Sequence, residues 1–393
     1  MLDLRVGMVG YAFMGAAHSQ AWRTVNRVFD LPVQVKMASV CGRDATSVAA
    51  AAHRLGWDSF TTDWRSLVDR DDIDVIDICT PGDSHAEIAI AALAAGKHVL
   101  CEKPLANSVE EARSMVAAAA AAGTTAMCGF NYRRVPAATL MRQFVEQGRI
   151  GVVRHVRAVY LQDWIVDPAF PLVWRLQRDR AGSGALGDIG AHIVDLTQYI
   201  TGQQITGVSA VTETFIKERP LPSSASGLAA SGNGSTTGPV TVDDAALFLA
   251  RLGGGAIATY EATRFATGRK NALRIEVNGS LGSLVFDLER LNELEFYDAT
   301  KAGGEQGFSR ILVTEPSHPY MKAWWPPGHI IGYEHSFTHQ ARDFVNAIAT
   351  GTEPAPSFSD ALQVQLVLEA VQRSAETGST WTEVAPILAE VRT

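Results

Sequence analysis

Lys103 follows the apolar run 99–101 and precedes Pro104, so its ammonium stands where a buried strand gives way to a rigid turn. A lysine is usually a solvated charge, but one held at a strand end can meet a developing oxyanion. Further on, the stretch Gly182-Ser-Gly-Ala-Leu-Gly-Asp188-Ile-Gly-Ala-His192-Ile-Val-Asp195 carries a carboxylate and an imidazole four residues apart. On a helix such residues share a face, with Asp195 near it. That pair suits removal of a proton from a hydroxyl. Plainer readings stand beside it: Asp188 as a charge at a helix N-terminus, His192 as a packed ring. The segment Thr80-Pro-Gly-Asp-Ser-His85 follows another strand and reads either as a ligand loop or as an ordinary strand–helix connection.

A fourth stretch, Gly10-Tyr-Ala-Phe-Met-Gly15, is a variant of the dinucleotide turn G-x-G-x-x-G between a strand and a helix. Its glycines permit a tight turn, and the amides at the helix start can hold a pyrophosphate. Ala12 stands in place of the second glycine and adds a methyl where phosphate would approach.

The elements that must position these residues follow from the apolar pattern. Strands are expected at 4–9, 33–41, 73–79, 99–101 and 125–129, with helices after Gly15 and at 45–55, 86–95 and 108–122. That alternation implies a doubly wound parallel sheet, an α/β domain over 1–129, with ligands at the carboxyl ends of its strands. Gly10, Arg43, Thr80, His85, Lys103 and Asn131 would then share one edge. After the second strand, Asp44 comes late for a ribose-binding acid and can equally cap the next helix. Arg43 can meet a 2′-phosphate or lie over an adenine.

The texture changes after Asn131. Helices at 135–147 and 188–200 accompany long alternating runs at 152–160, 208–217, 245–252, 256–263, 273–278 and 282–286. These predict a second, α+β domain over 130–393 with a large, mostly antiparallel open sheet. The polar stretch 220–239, almost all Ser, Ala, Gly and Thr, is expected to be a mobile surface loop. Helices at 336–349 and 360–375 close the chain.

With 393 residues and 47% hydrophobic composition, two sizeable cores are possible. A net charge of −8 without a long basic cluster argues against nucleic acid. The longest mostly apolar run, 115–122, is too short to span a bilayer, and no secretory leader is visible. Cys41, Cys79, Cys101 and Cys128 lack metal-ligand spacing, so reduced thiols in a cytoplasmic protein without a metal are expected.

Taken together, the Gly10–Gly15 turn, Thr80-Pro81…His85, Glu102-Lys103-Pro104, Gly129-Phe-Asn-Tyr-Arg133 and Gly187-Asp-Ile-Gly-Ala-His192 resemble the Gfo/Idh/MocA oxidoreductase family over nearly the whole length. The resemblance implies a Rossmann domain binding NAD, with NADP possible, and an open sheet serving as the contact of a homo-oligomer. It implies Lys103, Asp188 and His192 as the catalytic trio. Around the cofactor it suggests Gly10, Ala12, Phe13, Met14, Gly15, Gly42, Arg43, Thr80, Pro81, His85, Glu102, Lys103, Asn131, Trp174 and Arg175. Toward substrate it suggests Lys103, Tyr132, Asp163, Asp188 and His192. The run 318–335, with four large aromatics interleaved with Glu334, His329 and His335 around Pro-Pro-Gly, resembles family members acting on cyclitols and sugars such as levoglucosan. Its Pro-Pro-Gly group forbids a continuous helix, so the rings are expected on a loop, with His335 facing the sugar.

The expected reaction is oxidation of a secondary ring hydroxyl of a sugar or cyclitol, for instance at C3 of a pyranose. Two rivals keep the fold. One is a hydrolase that uses transient oxidation to assist glycosidic elimination; the other is a sensor without chemistry, against which the intact trio argues.

Overall fold

The first third of the chain alternates short apolar runs with amphipathic ones, and these become the strands of a single parallel sheet and the helices between them. In order these are β1 (Asp3–Val9), α1 (Phe13–Val28), β2 (Gln34–Cys41), α2 (Ala45–Leu55), β3 (Ser59–Thr61), α3 (Trp64–Val68), β4 (Val75–Ile78), α4 (His85–Ala94), β5 (His98–Cys101), α5 (Val109–Ala122) and β6 (Ala126–Cys128). The computed structural model describes residues 3–222 and 236–387. The sheet order is β3-β2-β1-β4-β5-β6, with every pair parallel. The direction of winding reverses between β1 and β4, which opens a crevice at the carboxyl ends of those strands.

Local chemistry sets the boundaries. Asp44 caps α2 by accepting the Ser47 amide at 2.8 Å. Ser108 and Glu111 form a reciprocal capping box on α5. Helix α1 begins at Phe13 rather than after Gly15, so Gly15 lies in its first turn. A side chain at position 15 would stand 2.2 Å from the Gly10 carbonyl oxygen, and Gly10 itself has φ +99°. β4 is also shorter than the predicted 73–79.

The chain divides into two compact units, Met1–Arg134 with Gly332–Leu362 and Val135–Ile331 with Gln363–Thr393. The returning segment carries α9 (Tyr333–Thr350), which packs on α1 through Phe337 and Phe344.

The second unit contains α6 (Pro136–Glu146), β7 (Val153–Leu161), α7 (Arg178–Ala181), α8 (Ala191–Thr201), β8 (Ile205–Glu213), β9 (Glu218–Pro220), β10 (Thr237–Pro239), β11 (Ala245–Leu252), β12 (Ile257–Thr263), β13 (Ala272–Gly279), β14 (Gly282–Asp287), β15 (Glu293–Asp298) and β16 (Phe308–Leu312). α10 (Phe358–Glu376) and β17 (Thr382–Glu383) follow α9. Nine strands pair in the order β16-β15-β14-β13-β7-β12-β11-β8-β17, antiparallel except for β7 with β12. Helix α8 packs against β7 and β13, and α6 against β14 and β15. The other side of the sheet exposes Val211, Leu247, Leu249 and Ile257. The predicted loop 220–239 falls mostly outside the described residues; its two ends pair as β9 and β10. Among the described residues no helix is long and apolar enough to cross a membrane.

Candidate active site

In the first unit the strand ends lie in step. The Gly10 amide donates to the Cys41 carbonyl at 3.0 Å, Cys79 to Val9 at 2.8 Å, Glu102 to Ile78 at 2.9 Å and Gly129 to Cys101 at 2.7 Å. One sheet edge therefore carries the Gly10–Gly15 turn, Gly42-Arg43, Thr80-Pro81, Glu102-Lys103 and Asn131. Ala12 precedes α1 without a side-chain cap, and no acidic residue sits in the first turn, where Phe13 and Met14 lie. The positive end of a sixteen-residue helix is thus left for an anion. Such a cradle fits a dinucleotide pyrophosphate.

Other groups at this edge are engaged with the protein. Gly42 lies under the Tyr11 ring, where a side chain would come within 1.9 Å. Arg43 is exposed, whereas Asp44 is held below the usual carboxylate range by its bonds to Ser47. The buried His85 ring contacts the carbonyls of Thr80 at 2.9 Å and Pro104 at 3.1 Å, tying that loop to the turn after Lys103. Lys103 donates its backbone N–H to the Glu102 carboxylate at 3.1 Å and joins Pro104 through a cis peptide bond. Asn131 donates to Ser336 at 2.8 Å, and the buried Tyr132 meets Tyr333 edge-on.

In the second unit Asp188 and His192 do not lie on one regular helix. Residues Leu186–Gly190 form a π-helical turn, and α8 starts only at Ala191. Asp188 and His192 therefore do not share a face by regular four-residue helical spacing, since a π turn advances differently and re-aims side chains, often at functional sites. Asp243 anchors this turn: its carboxylate accepts the amides of Gly184 at 2.7 Å and Leu186 at 2.8 Å. A side chain on residue 184 would meet the Asp243 carbonyl at 1.7 Å.

The Asp188 carboxylate, 26% exposed, pairs with the fully buried Arg264 at 3.4 Å. Arg264 also donates to the Asp243 carbonyl and faces the Trp164 ring. His192 is buried with its ring against Tyr160. The Tyr160 hydroxyl donates to Asn271 at 2.7 Å, which also accepts from Gln162 at 2.8 Å. Asp163 accepts from Lys270 at 2.8 Å and from the Gly268 amide, and Lys270 holds its carboxyl below the usual range. Arg175 stacks on Trp174. Arg264 and Asp243 were not singled out from the sequence. Arg264 nevertheless carries a signal like that of Lys103, a charge at the end of a strand, here one whose last two residues are buried.

The histidines of the run 318–335 serve local turns. The Glu315 amide donates to His318, His329 contacts the Pro326 carbonyl, and the Gly332 amide donates to His335 Nδ1 at 3.0 Å, capping α9. Burial lowers the His335 imidazole, against the nearby Glu334 charge.

Residues 4–130 match the description "Oxidoreductase family, NAD-binding Rossmann fold", and residues 139–285 match the "GFO/IDH/MocA C-terminal domain". The chain belongs to the Gfo/Idh/MocA family. As a member it is an oxidoreductase with an NAD-binding Rossmann domain, as the resemblance implied. The chain is 44% identical to a levoglucosan dehydrogenase of Pseudarthrobacter phenanthrenivorans, covering 99% of this chain and 100% of that one. It is 26% identical to an inositol 2-dehydrogenase of Rhizobium meliloti, covering 95% and 97%. Among solved Gfo/Idh/MocA-like structures, an oxidoreductase domain protein from Kribbella flavida superposes with a TM-score of 0.93 at 62% identity, covering 98% and 100%. A levoglucosan dehydrogenase in complex with NADH and levoglucosan superposes at 0.92 with 42% identity, covering 98% and 100%.

Proposed function

We propose that this chain is an NAD-dependent dehydrogenase that oxidises a secondary ring hydroxyl of a sugar or cyclitol, with levoglucosan and C3 of a pyranose as the first choices. The observation that carries this reading is the end-to-end likeness to a levoglucosan dehydrogenase. Bound NAD supplies the hydride acceptor. The chain's own residues supply position and charge. The first-turn amides of α1 hold the pyrophosphate, with Gly42, Arg43, Thr80, Pro81, His85, Glu102, Asn131, Trp174 and Arg175 around the rest of the cofactor. His192 takes the hydroxyl proton, Asp188 orients the imidazole, and Lys103 donates to the alkoxide as it forms. Tyr132, Asp163 and His335 contribute to sugar recognition.

NAD is preferred over NADP because the Asp44 carboxylate at the start of α2 would repel a 2′-phosphate. The exposed apolar face of the nine-stranded sheet supports a homo-oligomer, since such faces are usually covered. Four buried free thiols suit a reducing compartment, here the cytoplasm. Reduced-cofactor absorbance followed across a panel of sugars and cyclitols tests the reading. Net NADH formation with levoglucosan or a pyranose is expected. Turnover of a glycoside without net reduction would replace the dehydrogenase by the hydrolase.

A further inference from the structure

A ring buried in the first unit joins the dinucleotide helix to the Glu102-Lys103 segment. His18, on α1, is 2% exposed. Its Nδ1 lies 2.9 and 3.0 Å from the two carboxylate oxygens of Asp77, on β4, and its Nε2 lies 2.9 Å from Glu102 Oε1. Both carboxylates accept from other donors as well. Asp77 Oδ2 accepts the Trp22 indole N–H at 2.7 Å, and Oδ1 faces the Cys79 thiol at 3.6 Å. Glu102 Oε2 accepts the Lys103 amide. Two ionised carboxylates, one at each edge of an imidazole, are both satisfied when both ring nitrogens carry a proton.

The remaining neighbours agree with that state. Burial is the largest single influence and opposes charge on the ring, but Asp77 and Cys79 together outweigh it and hold His18 well above the ordinary histidine range. The Cys79 thiol is pushed up, chiefly by burial. From α9, Phe337 packs 5.5 Å from the ring, and the Tyr333 phenol is pushed up by burial, with Tyr132 and then Glu102 adding to the rise. A Cβ at Gly129 would stand 2.8 Å from Glu102 Oε1, so the glycine leaves room for this carboxylate where it lies. His18, Asp77 and Cys79 are also metal-ligand types with their ligand atoms within 4.8 Å of one another. The indole N–H aimed at Asp77 and the second carboxylate beyond Nε2 fit a hydrogen-bonded cation better.

We propose that His18 is a positioning residue for the chemistry of Lys103: as an imidazolium it clamps Asp77 to Glu102, and Glu102 in turn fixes the backbone of Lys103. One ring thereby couples the helix offered to the pyrophosphate to the strand end that carries the lysine. The inference rests on the role given to Lys103 above.

Nitrogen NMR of the unaltered, cofactor-free protein labelled in its histidines tests the protonation directly. One ring should keep both nitrogens protonated at a pH where the exposed histidines have lost a proton. Glu102→Gln should let that ring lose a proton at lower pH. In turnover assays His18→Gln should lower kcat roughly 10- to 100-fold, the scale of a displaced reacting group, with KM for NAD nearly unchanged, and Glu102→Gln should lower kcat to a similar degree. The absence of such a ring, or a stoichiometric metal released together with its signal, overturns the clamp whatever Lys103 does. Variants that melt earlier yet keep wild-type kcat when folded overturn the positioning role. Lys103→Ala with wild-type turnover removes the reading of the lysine instead and leaves the NMR spectrum as it was. The spectrum needs no variant, so the test survives a variant that fails to fold.

Discussion

His18 and Arg264 are both buried cations set against carboxylates, one in each unit, and their surroundings differ. Asp77 and Glu102 are fully enclosed, and each takes a second donor besides the imidazole: the Trp22 indole on one, the Lys103 amide on the other. Asp188 keeps 26% of its side chain exposed and meets Arg264 at a loose 3.4 Å. A saturated carboxylate can only hold its neighbours in place. A partly exposed one can still be reached by a substrate or by a ring that changes charge. On the proposed roles, the first cluster fixes a backbone and the second takes part in the reaction.

Removing a reacting group from the second cluster gives the largest expected effect. His192→Ala should lower kcat by roughly 10² or more while cofactor affinity, measured by calorimetry, stays near wild type. Unchanged turnover across the pH range would take the proton-transfer role away from this ring. Arg264→Leu comes next. It breaks a buried ion pair and should cost about 2 kcal/mol of stability, below the usual range for buried pairs because water already reaches Asp188. Chemical denaturation measures the loss. A stability loss without any change in kcat would show that Arg264 supports the fold and does not tune Asp188.

The same contrast between rings appears inside the first unit, with opposite signs against pH. His339 is buried, and its Nδ1 lies 2.9 Å from the Arg134 carbonyl. Burial pushes this imidazole down to about 3. The unfolded ring binds a proton near 6.5 and the folded one does not, so its stabilisation is present above that pH. It is lost as pH falls from about 6.5 toward 3, at about 1.4 kcal/mol per pH unit. His18 is raised, so its contribution is present below the unfolded value and is lost as pH rises through the raised folded value. Denaturation midpoints measured across pH should show both limbs. His339→Gln should flatten the acid limb alone; an unchanged acid limb would mean that other groups set it.

Local signals in the sequence carried much of this. The parallel strands are runs of buried apolar residues, and α2 falls at its predicted 45–55 because Asp44 caps it and Gly56 ends it in the left-handed region. Strands β15 and β16 were not anticipated. Glu293, Glu295 and Asp298 interrupt the first, and the second is almost wholly exposed, so neither shows a strong apolar run. Pairings between distant residues leave no local trace. Asp188 and Arg264 are 76 positions apart, and His18 and Glu102 are 84 apart. The return of α9 to the first unit is of the same kind. The π turn at Leu186–Gly190 was hidden because its composition reads as ordinary helix, while Asp243, far along the chain, is what pins it.

The smallest expected effect belongs to His335, where a capping role and a substrate role must be separated. The Gly332 amide donates to its Nδ1, so at neutral pH the ring is neutral, with its proton on Nε2. His335→Ala removes this acceptor and should cost about 1 kcal/mol, the usual worth of a helix cap. A glutamine at the third helical position can reach back to the same amide, as in a capping box, so His335→Gln should recover most of that stability. Glutamine does not reproduce the imidazole toward a sugar. If the ring also meets substrate, KM for the sugar should be raised a few-fold in both variants while KM for NAD stays level. A KM restored together with the melting temperature in His335→Gln would make the cap the whole role. The contrast would then sharpen further, with this ring joining His18 among the residues that hold the backbone rather than those that touch what is oxidised.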